Sequence, residues 1–524
     1  MSNFYLDIYS LPSYDYQDEV IKQGHPVSIK EYNKFAERIY NIFRSHIELE
    51  DNERYKSILR VSDRYIITNV SNYLKYKLSF ERLEEYNIKF TEEENFKECA
   101  GSRNLSTSFM EYTLKDKNPF IDYWMRDFFH SAIKSKIKFF LSNIKLYNHK
   151  IAVYGSNPWM IKYLKDNNEK YNILYDEYIW NDKTDPKDID IYEFNDYKFN
   201  EFCKKSIDKI ICELNIKDIH QIKYIEHIVN RVFYKVNMDL SNTTKSLKRK
   251  KINFEVIYAG TAGNYKTRII FESFKTLGVR TASFNHSGSI SHVEYEFDPR
   301  NYVEYGIPDD FYVFNNNDIE YLNKGKKKYD LDIVFKSINN NKIKKTLDSK
   351  VKTMNNIRTI FYTSLSFSGQ MRYFGVADDL MHVSFEYNLF KTLYKLGDFK
   401  IKVKTHPKGV RRNDLLLKKK FKDIEIIDDK SMNEVIDSKV DIFINRMVDS
   451  TAFNEIVKSD KPMILINDTG TEKLTKEAKE SLKNRVAFVD CHYENGLAVI
   501  NEEQLEEALN REYTMDFEFA NRFQ

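Results

Sequence analysis

The residues whose types and spacing can do chemistry sit in three short stretches. "KTHPKG", residues 404–409, sets Lys404, His406 and Lys408 around Pro407, with Gly409 behind them. Two ammonium groups and an imidazole supply charge-assisted donors to a phosphate, while the proline stiffens the turn and the glycine admits close backbone approach. "DSTAFNE", residues 449–455, puts Ser450 where a helix N-cap is expected, with Thr451 next to it. Hydroxyls and uncommitted amides then converge at the positive end of a helix dipole, a setting for an anion. Glu455 follows Thr451 at i+4 on the same helix face, where a carboxylate can accept from ribose hydroxyls or act as a capping partner. In "FNHSGSISHVEYEFD", residues 284–298, His286 is a candidate general base, since its ordinary pKa of ~6.5 lies near working pH. Asp298, Glu294 and Glu296 are carboxylates that can serve instead. Each stretch also has a plainer reading: a basic surface loop, an ordinary helix cap, a hydrogen-bonded loop histidine.

Alternating elements must position these residues. IAVYG (151–155), the proline-opened helix PWMIKYLKDN (158–167) and NILYDEYIW (172–180) read as a strand, glycine turn, helix and strand. FEVIYAG, the helix YKTRIIFESFKTLG closed by Gly278, VRTASFN, YVEYG and FYVFNN continue the pattern to residue 316. The lysine- and asparagine-rich residues 317–356 read as a helical connector. RTIFYTS, the helix MHVSFEYNLFKTLYKLG, FKIKVKTHP, DIEIID, VDIFIN, TAFNEIVKSD, KPMILIND and RVAFVD then form a second alternating set. Residues 1–148 read as mostly helical, and 130–150 mix lysines with large apolar groups at helical spacing, so peripheral membrane contact stays open. The predicted fold class is α/β, with two Rossmann-like domains of GT-B architecture behind a helical extension. The boundaries are 1–148 for the extension, 149–345 for an acceptor domain with connector and 346–524 for a donor domain. His406 and Ser450 then follow strands of one sheet, beyond whose carboxyl ends open α/β folds bind ligands.

Bulk properties narrow the class. The 524 residues carry 82 Lys plus Arg against 79 Asp plus Glu, a net of +3, which argues against a global polyanion-binding face and so against nucleic acid. Cys99, Cys203, Cys212 and Cys491 show neither paired nor metal-ligand spacing, as expected in a reducing cytoplasm. No apolar run approaches the ~18–20 residues needed to span a bilayer, and the N-terminus lacks a secretion signal. The loops GTAGN (260–264) and SFSGQ (366–370) match no nucleotide-triphosphatase or dinucleotide fingerprint.

IKVKTHPKG resembles the "vKpHP" loop of capsule polysaccharide biosynthesis proteins, the group that contains Kdo transferases. VDIFINRMVDSTAFNEIVKSDKPMILIND resembles their segment with a Ser-Thr pair, a glutamate and a "gkPvi" strand. Bacterial GT-B sialyltransferases have similar motifs that bind the CMP part of their donor. The resemblance implies binding of a CMP- or related nucleotide sugar by His406, Ser450 and Thr451. The expected protein is a glycosyltransferase whose C-terminal domain holds the donor, a CMP-linked sugar, through Lys404, His406, Pro407, Ser450, Thr451 and Glu455, with cationic side chains in place of a metal and with no cofactor. Its partners would be that nucleotide-sugar donor and a glycan or lipid-linked glycan acceptor. The product would be a bacterial surface polysaccharide or glycoconjugate, and the cysteine usage and the lysine-rich residues 130–150 place the expected protein in the cytoplasm, with contact at the inner face of the membrane left open. GVRTASFNHSG is similar to a strand and His-Gly loop shared with CDP-glycerol glycerophosphotransferases, except that Ser287 separates the histidine from the glycine. The Asp-x-Gly motif that supplies the base in sialyl and Kdo transferases is absent. DSTAFNE followed by KPMILINDTGTE also echoes nucleotide-sugar 2-epimerases, with serine and threonine in place of their glycines. A glycerophosphotransferase, an epimerase and a non-catalytic glycan-binding protein are the alternatives.

Overall fold

The computed structural model describes the chain outside residues 1–2, 6–24, 90–148, 156, 175–195, 250–253, 286–289, 296, 339–350, 354–358, 365–378, 405–416, 419, 428–429, 437–438, 449, 469–472, 496 and 524. A short pair, β1 (Asn3–Tyr5) and β2 (Asn87–Lys89), brackets the first two helices, Ile29–Leu49 and Glu53–Arg82. The first of these opens on a capping box. Ser28 accepts from Glu31 N, and the Glu31 carboxylate accepts in return from Ser28 N at 3.0 Å and from Arg82 at the far end of the next helix. The Arg82 hydrogen bond is the main reason the Glu31 carboxyl is pushed down to about 2. The folded pKa lies below the unfolded value, so this contribution to stability is present above about 4.5 and lost as the pH falls through about 2. Glu31→Gln should therefore lower stability at pH 7 and flatten the acid limb of a urea-midpoint profile. A variant with the parent's acid limb would refute the assignment.

The first sheet holds six parallel strands in the order β4 (Tyr171–Leu174), β3 (Ile151–Tyr154), β5 (Val256–Ala259), β6 (Arg280–Phe284), β8 (Asp310–Val313) and β9 (Val334–Ser337). Helices Tyr197–Leu214 and Ile219–Arg249 share one hydrophobic core with the two N-terminal helices, the helix Tyr265–Lys275 and one face of this sheet. Gly278 follows the last of these helices at φ +76°, and Val279 N donates back to Phe274 O at 3.0 Å. Only a residue without Cβ takes that conformation at no cost, and it ends the helix before β6.

Two expectations change. YVEYG, read as a strand for its β-branched and aromatic residues, is part of a buried π-helical turn, Asn301–Tyr305. Arg268 donates to the carbonyls of Tyr302 at 2.7 Å and Val303 at 3.2 Å, and this tertiary bonding outweighs the β preference. The connector read as helical holds the helix Asn316–Tyr329 but also the edge strand β9, which pairs with β8. An edge strand covered on one face carries the lysines and serines that hid it.

The second sheet runs β13 (Glu425–Ile427), β12 (Lys400–Lys404), β11 (Thr359–Thr363), β14 (Ile442–Asn445), β15 (Met463–Asp468), β17 (Val486–Glu494) and β18 (Leu497–Ile500), parallel except for β18. Its faces are covered by helices Asp379–Leu396 and Glu502–Asn510 on one side and Thr451–Val457, Lys476–Leu482 and Glu518–Phe523 on the other. A small ladder, β10 (Val351–Thr353) with β19 (Glu512–Thr514), lies apart from it. Among the described residues no helix is long and apolar enough to cross a membrane. The fold class is α/β with two Rossmann-like sheets in tandem.

Candidate functional site

In each sheet the chain starts in the middle, winds to one edge and returns to wind toward the other. The strand order therefore reverses between β3 and β5 in the first sheet and between β11 and β14 in the second. The carboxyl ends of such neighbours splay their following loops apart and leave a crevice for ligand. Each crevice holds a buried carboxylate and an arginine, Glu304 with Arg64 at the first and Glu386 with Arg446 at the second, but they are engaged differently.

At the first, the loop after β5 is GTAGN, and the chain fills it with its own carboxylate. Glu304 accepts from Thr261 Oγ1 at 2.8 Å and from Ala262 N at 3.0 Å. An ideal Cβ on Gly263 would stand 2.6 Å from Glu304 Oε1, so a side chain here would push the Glu304 carboxylate aside. Gly155, after β3, accepts from Gly260 N at 2.8 Å, and Asn157 Nδ2 donates to Gly260 O at 2.8 Å. An anion entering here would meet a carboxylate where the amides already have an acceptor.

At the second crevice the strand ends carry hydroxyl, amide and guanidinium groups. Thr363, last in β11, donates to Asn445 Oδ1, last in β14, and Asn445 Nδ2 donates to Met447 O at 2.7 Å. Ser364 Oγ donates to the buried Glu386 carboxylate at 2.6 Å. Arg446 follows β14 and is only 3% exposed. It donates through Nη1 to His382 Nδ1 at 2.7 Å and through Nη2 to the Tyr493 hydroxyl, and its Cζ stands 4.3 Å above the Phe385 ring. A guanidinium has no acceptor, so His382 must accept at Nδ1 and its ring is neutral. Arg446 thus brings a permanent positive charge to the crevice floor. Burial, helped by the Glu386 charge, pushes the neighbouring Tyr362 phenol well up.

The residues singled out from sequence fall as follows. Lys404 ends β12 in register with Thr363, and its carbonyl accepts from Ser364 N at 2.9 Å, so it borders the crevice one strand away. Ser450 is the N-cap of Thr451–Val457: its hydroxyl accepts from Phe453 N at 3.1 Å and donates to Met447 O at 2.9 Å. Thr451 is exposed in the first turn, and Glu455 is half-buried, 3.9 Å from Lys458 Nζ. Lys404 and Asn445 end strands separated only by β11, which sets these two strand ends about 10 Å apart at neighbouring-strand spacing. His406, Pro407 and His286 lie outside the described residues. Asp298 accepts from Arg300 Nε at 2.9 Å, and its charge reaches the buried Tyr40 and Tyr302 phenols. Thr363, Ser364, His382, Glu386, Asn445, Arg446 and Tyr493 were not picked out from sequence. The available signal was that Ser364 and Arg446 come directly after the strand runs IFYT and IFIN.

No family model matches the chain, and no curated protein does. Among solved structures, the UDP-GlcNAc 2-epimerase from Methanocaldococcus jannaschii aligns with a TM-score of 0.34 at 12% identity, covering 71% of this chain and 97% of that one. The UDP-N-acetylglucosamine 2-epimerase from Rickettsia bellii aligns at 0.35 and 12%, covering 68% and 86%. Os79 from O. sativa in complex with UDP aligns at 0.33 and 12%, covering 69% and 90%. Likeness this distant carries no argument about chemistry, and the tandem Rossmann-like sheets stand on this chain's own strand order.

Proposed function

We propose that the chain is a glycosyltransferase that takes a nucleotide-activated sugar, CMP-linked, and passes the sugar to a glycan or lipid-linked glycan acceptor, in the cytoplasm at the inner face of the membrane. The observation that supports this best is the buried Arg446 guanidinium at the second crevice, where the hydroxyls of Thr363, Ser364 and Ser450, the Glu386 carboxylate and Lys404 also gather, whereas at the first crevice Glu304 already takes the hydrogen bonds of the loop hydroxyl and amide. The donor phosphate would lie at the second crevice. Fixed positive charge there would stabilise the negative charge that develops on the departing nucleotide, and such preorganised electrostatic stabilisation usually lowers the barrier more than any other effect. The charge comes from side chains, so the proposed reaction needs neither a metal nor a cofactor. The base that deprotonates the acceptor would come from the loop bearing His286. Asp298 is the weaker candidate because Arg300 already engages its carboxylate.

Thermal unfolding in the presence of CMP, CDP, UDP and GDP tests the donor site. CMP at 100 times its dissociation constant should stabilise the protein by about 2.7 kcal/mol. Stabilisation by UDP alone would move the reading to the epimerase class, and silence from all four nucleotides would remove the donor site.

A further inference from the structure

We propose that His292, in the first domain, is a positioning residue for the second domain's crevice. His292 follows the loop after β6 and is completely buried. Its Nε2 lies 2.9 Å from the carbonyl of Val448, in the stretch between Arg446 and Ser450 that rims the crevice. A carbonyl only accepts, so Nε2 carries the proton. The ring is boxed by aromatic side chains of the second domain: Phe453 at 6.0 Å and nearly parallel, Phe519 at 5.3 Å and Phe523 at 6.3 Å edge-on. The backbone is held as firmly. Thr475 N donates to the His292 carbonyl at 3.0 Å, and β7 (Val293–Glu294) then pairs antiparallel with β16 (Lys473–Leu474). Val293, wholly buried, belongs to the hydrophobic core of the second domain. The first domain thus inserts a three-residue peg, 292–294, into its neighbour, and the peg's imidazole fixes the height of the 446–448 stretch after β14. The terminal helix closes the same seam, with Asn315 Nδ2 donating to Phe523 O at 3.2 Å and Asn317 Nδ2 to Arg522 O at 3.1 Å. The crevice rim is therefore built by both domains before any ligand arrives.

Hydrogen exchange on the full chain without nucleotide tests the peg, so its failure and that of the donor-site reading are separable. His292→Phe keeps a ring in the aromatic box and deletes the donor, and His292→Gln returns a donor. In His292→Phe the amides of 447–454 should exchange about tenfold faster, the worth of one hydrogen bond, while those of β15 and β17 keep the parent rate. In His292→Gln the 447–454 rates should return toward the parent's. Parent rates at 447–454 in His292→Phe, or equal acceleration throughout the second domain, would overturn the proposal. In the unmodified chain the amides of Glu294 and Thr475 should be protected like those of β15, and exchange at loop rates would overturn it whether or not the variants fold.

Discussion

Arg268→Leu is expected to cost about 3–5 kcal/mol of stability at pH 8, the penalty for removing one member of a buried ion pair and leaving the other charge behind. Arg268 is 1% exposed and donates to the Asp63 carboxylate and to the carbonyls of Arg60, Tyr302 and Val303. It therefore ties the helix Glu53–Arg82 and the π-helical turn 301–305 to the helix Tyr265–Lys275. Burial pushes the Asp63 carboxyl up to about 6, with the Arg268 charge opposing. The folded pKa lies above the unfolded value of 3.8, so the native state takes up the proton first, and this group's contribution is lost as the pH rises through about 6. Without the guanidinium the folded pKa rises further. The variant's deficit should therefore shrink at pH 5, and Asp63→Asn in the same background should recover part of it. Urea denaturation at both pH values gives the comparison, and a deficit below about 1 kcal/mol at pH 8 would contradict the assignment.

Arg446→Met should weaken nucleotide binding by roughly 10- to 100-fold, the worth of a charge-assisted hydrogen bond to phosphate. Methionine fills much of the space above Phe385 but leaves His382 Nδ1 and the Tyr493 hydroxyl without this donor, so a stability loss of about 1–3 kcal/mol should accompany it. Far-ultraviolet circular dichroism should match the parent's. Calorimetric titration with the nucleotide that stabilises the parent reads the affinity, and an unchanged dissociation constant would take Arg446 out of the site.

What could be read in the chain was what depends on neighbours in sequence. The Ser450 cap, the Gly278 turn and the strand runs IAVY, IFYT and IFIN are local signals, and each stands where its residues place it. The crevice residues depend on strand order instead. Thr363 and Asn445 meet only because β11 and β14 are neighbours, although β12 and β13 intervene in the chain. Nothing in either segment encodes that pairing. Arg446 and His382 were hidden for a related reason: one arginine after a strand and one histidine in a helix are ordinary until the fold puts them 2.7 Å apart. The π-helical turn at 301–305 escaped because its residue types favour a strand, and the bonds that override them come from Arg268, some thirty positions upstream.

The helix Glu53–Arg82 is buried on every side from Val61 to Tyr73, and part of its cover is the helix Ile219–Arg249, through the stacked rings of Tyr73 and Tyr224 at 4.1 Å. On a ribosome making about 5–20 residues per second, the stretch from Arg82 to Arg249 takes roughly 10–30 s to emerge. For that interval Tyr65, Ile66, Ile67, Val70 and Tyr73, and the buried Asp63 and Arg64 beside them, wait in water for a cover not yet translated. The nascent chain should therefore be a client of holding chaperones, and its yield in cells should respond to translation speed between these two helices more than to codon choice in the second domain.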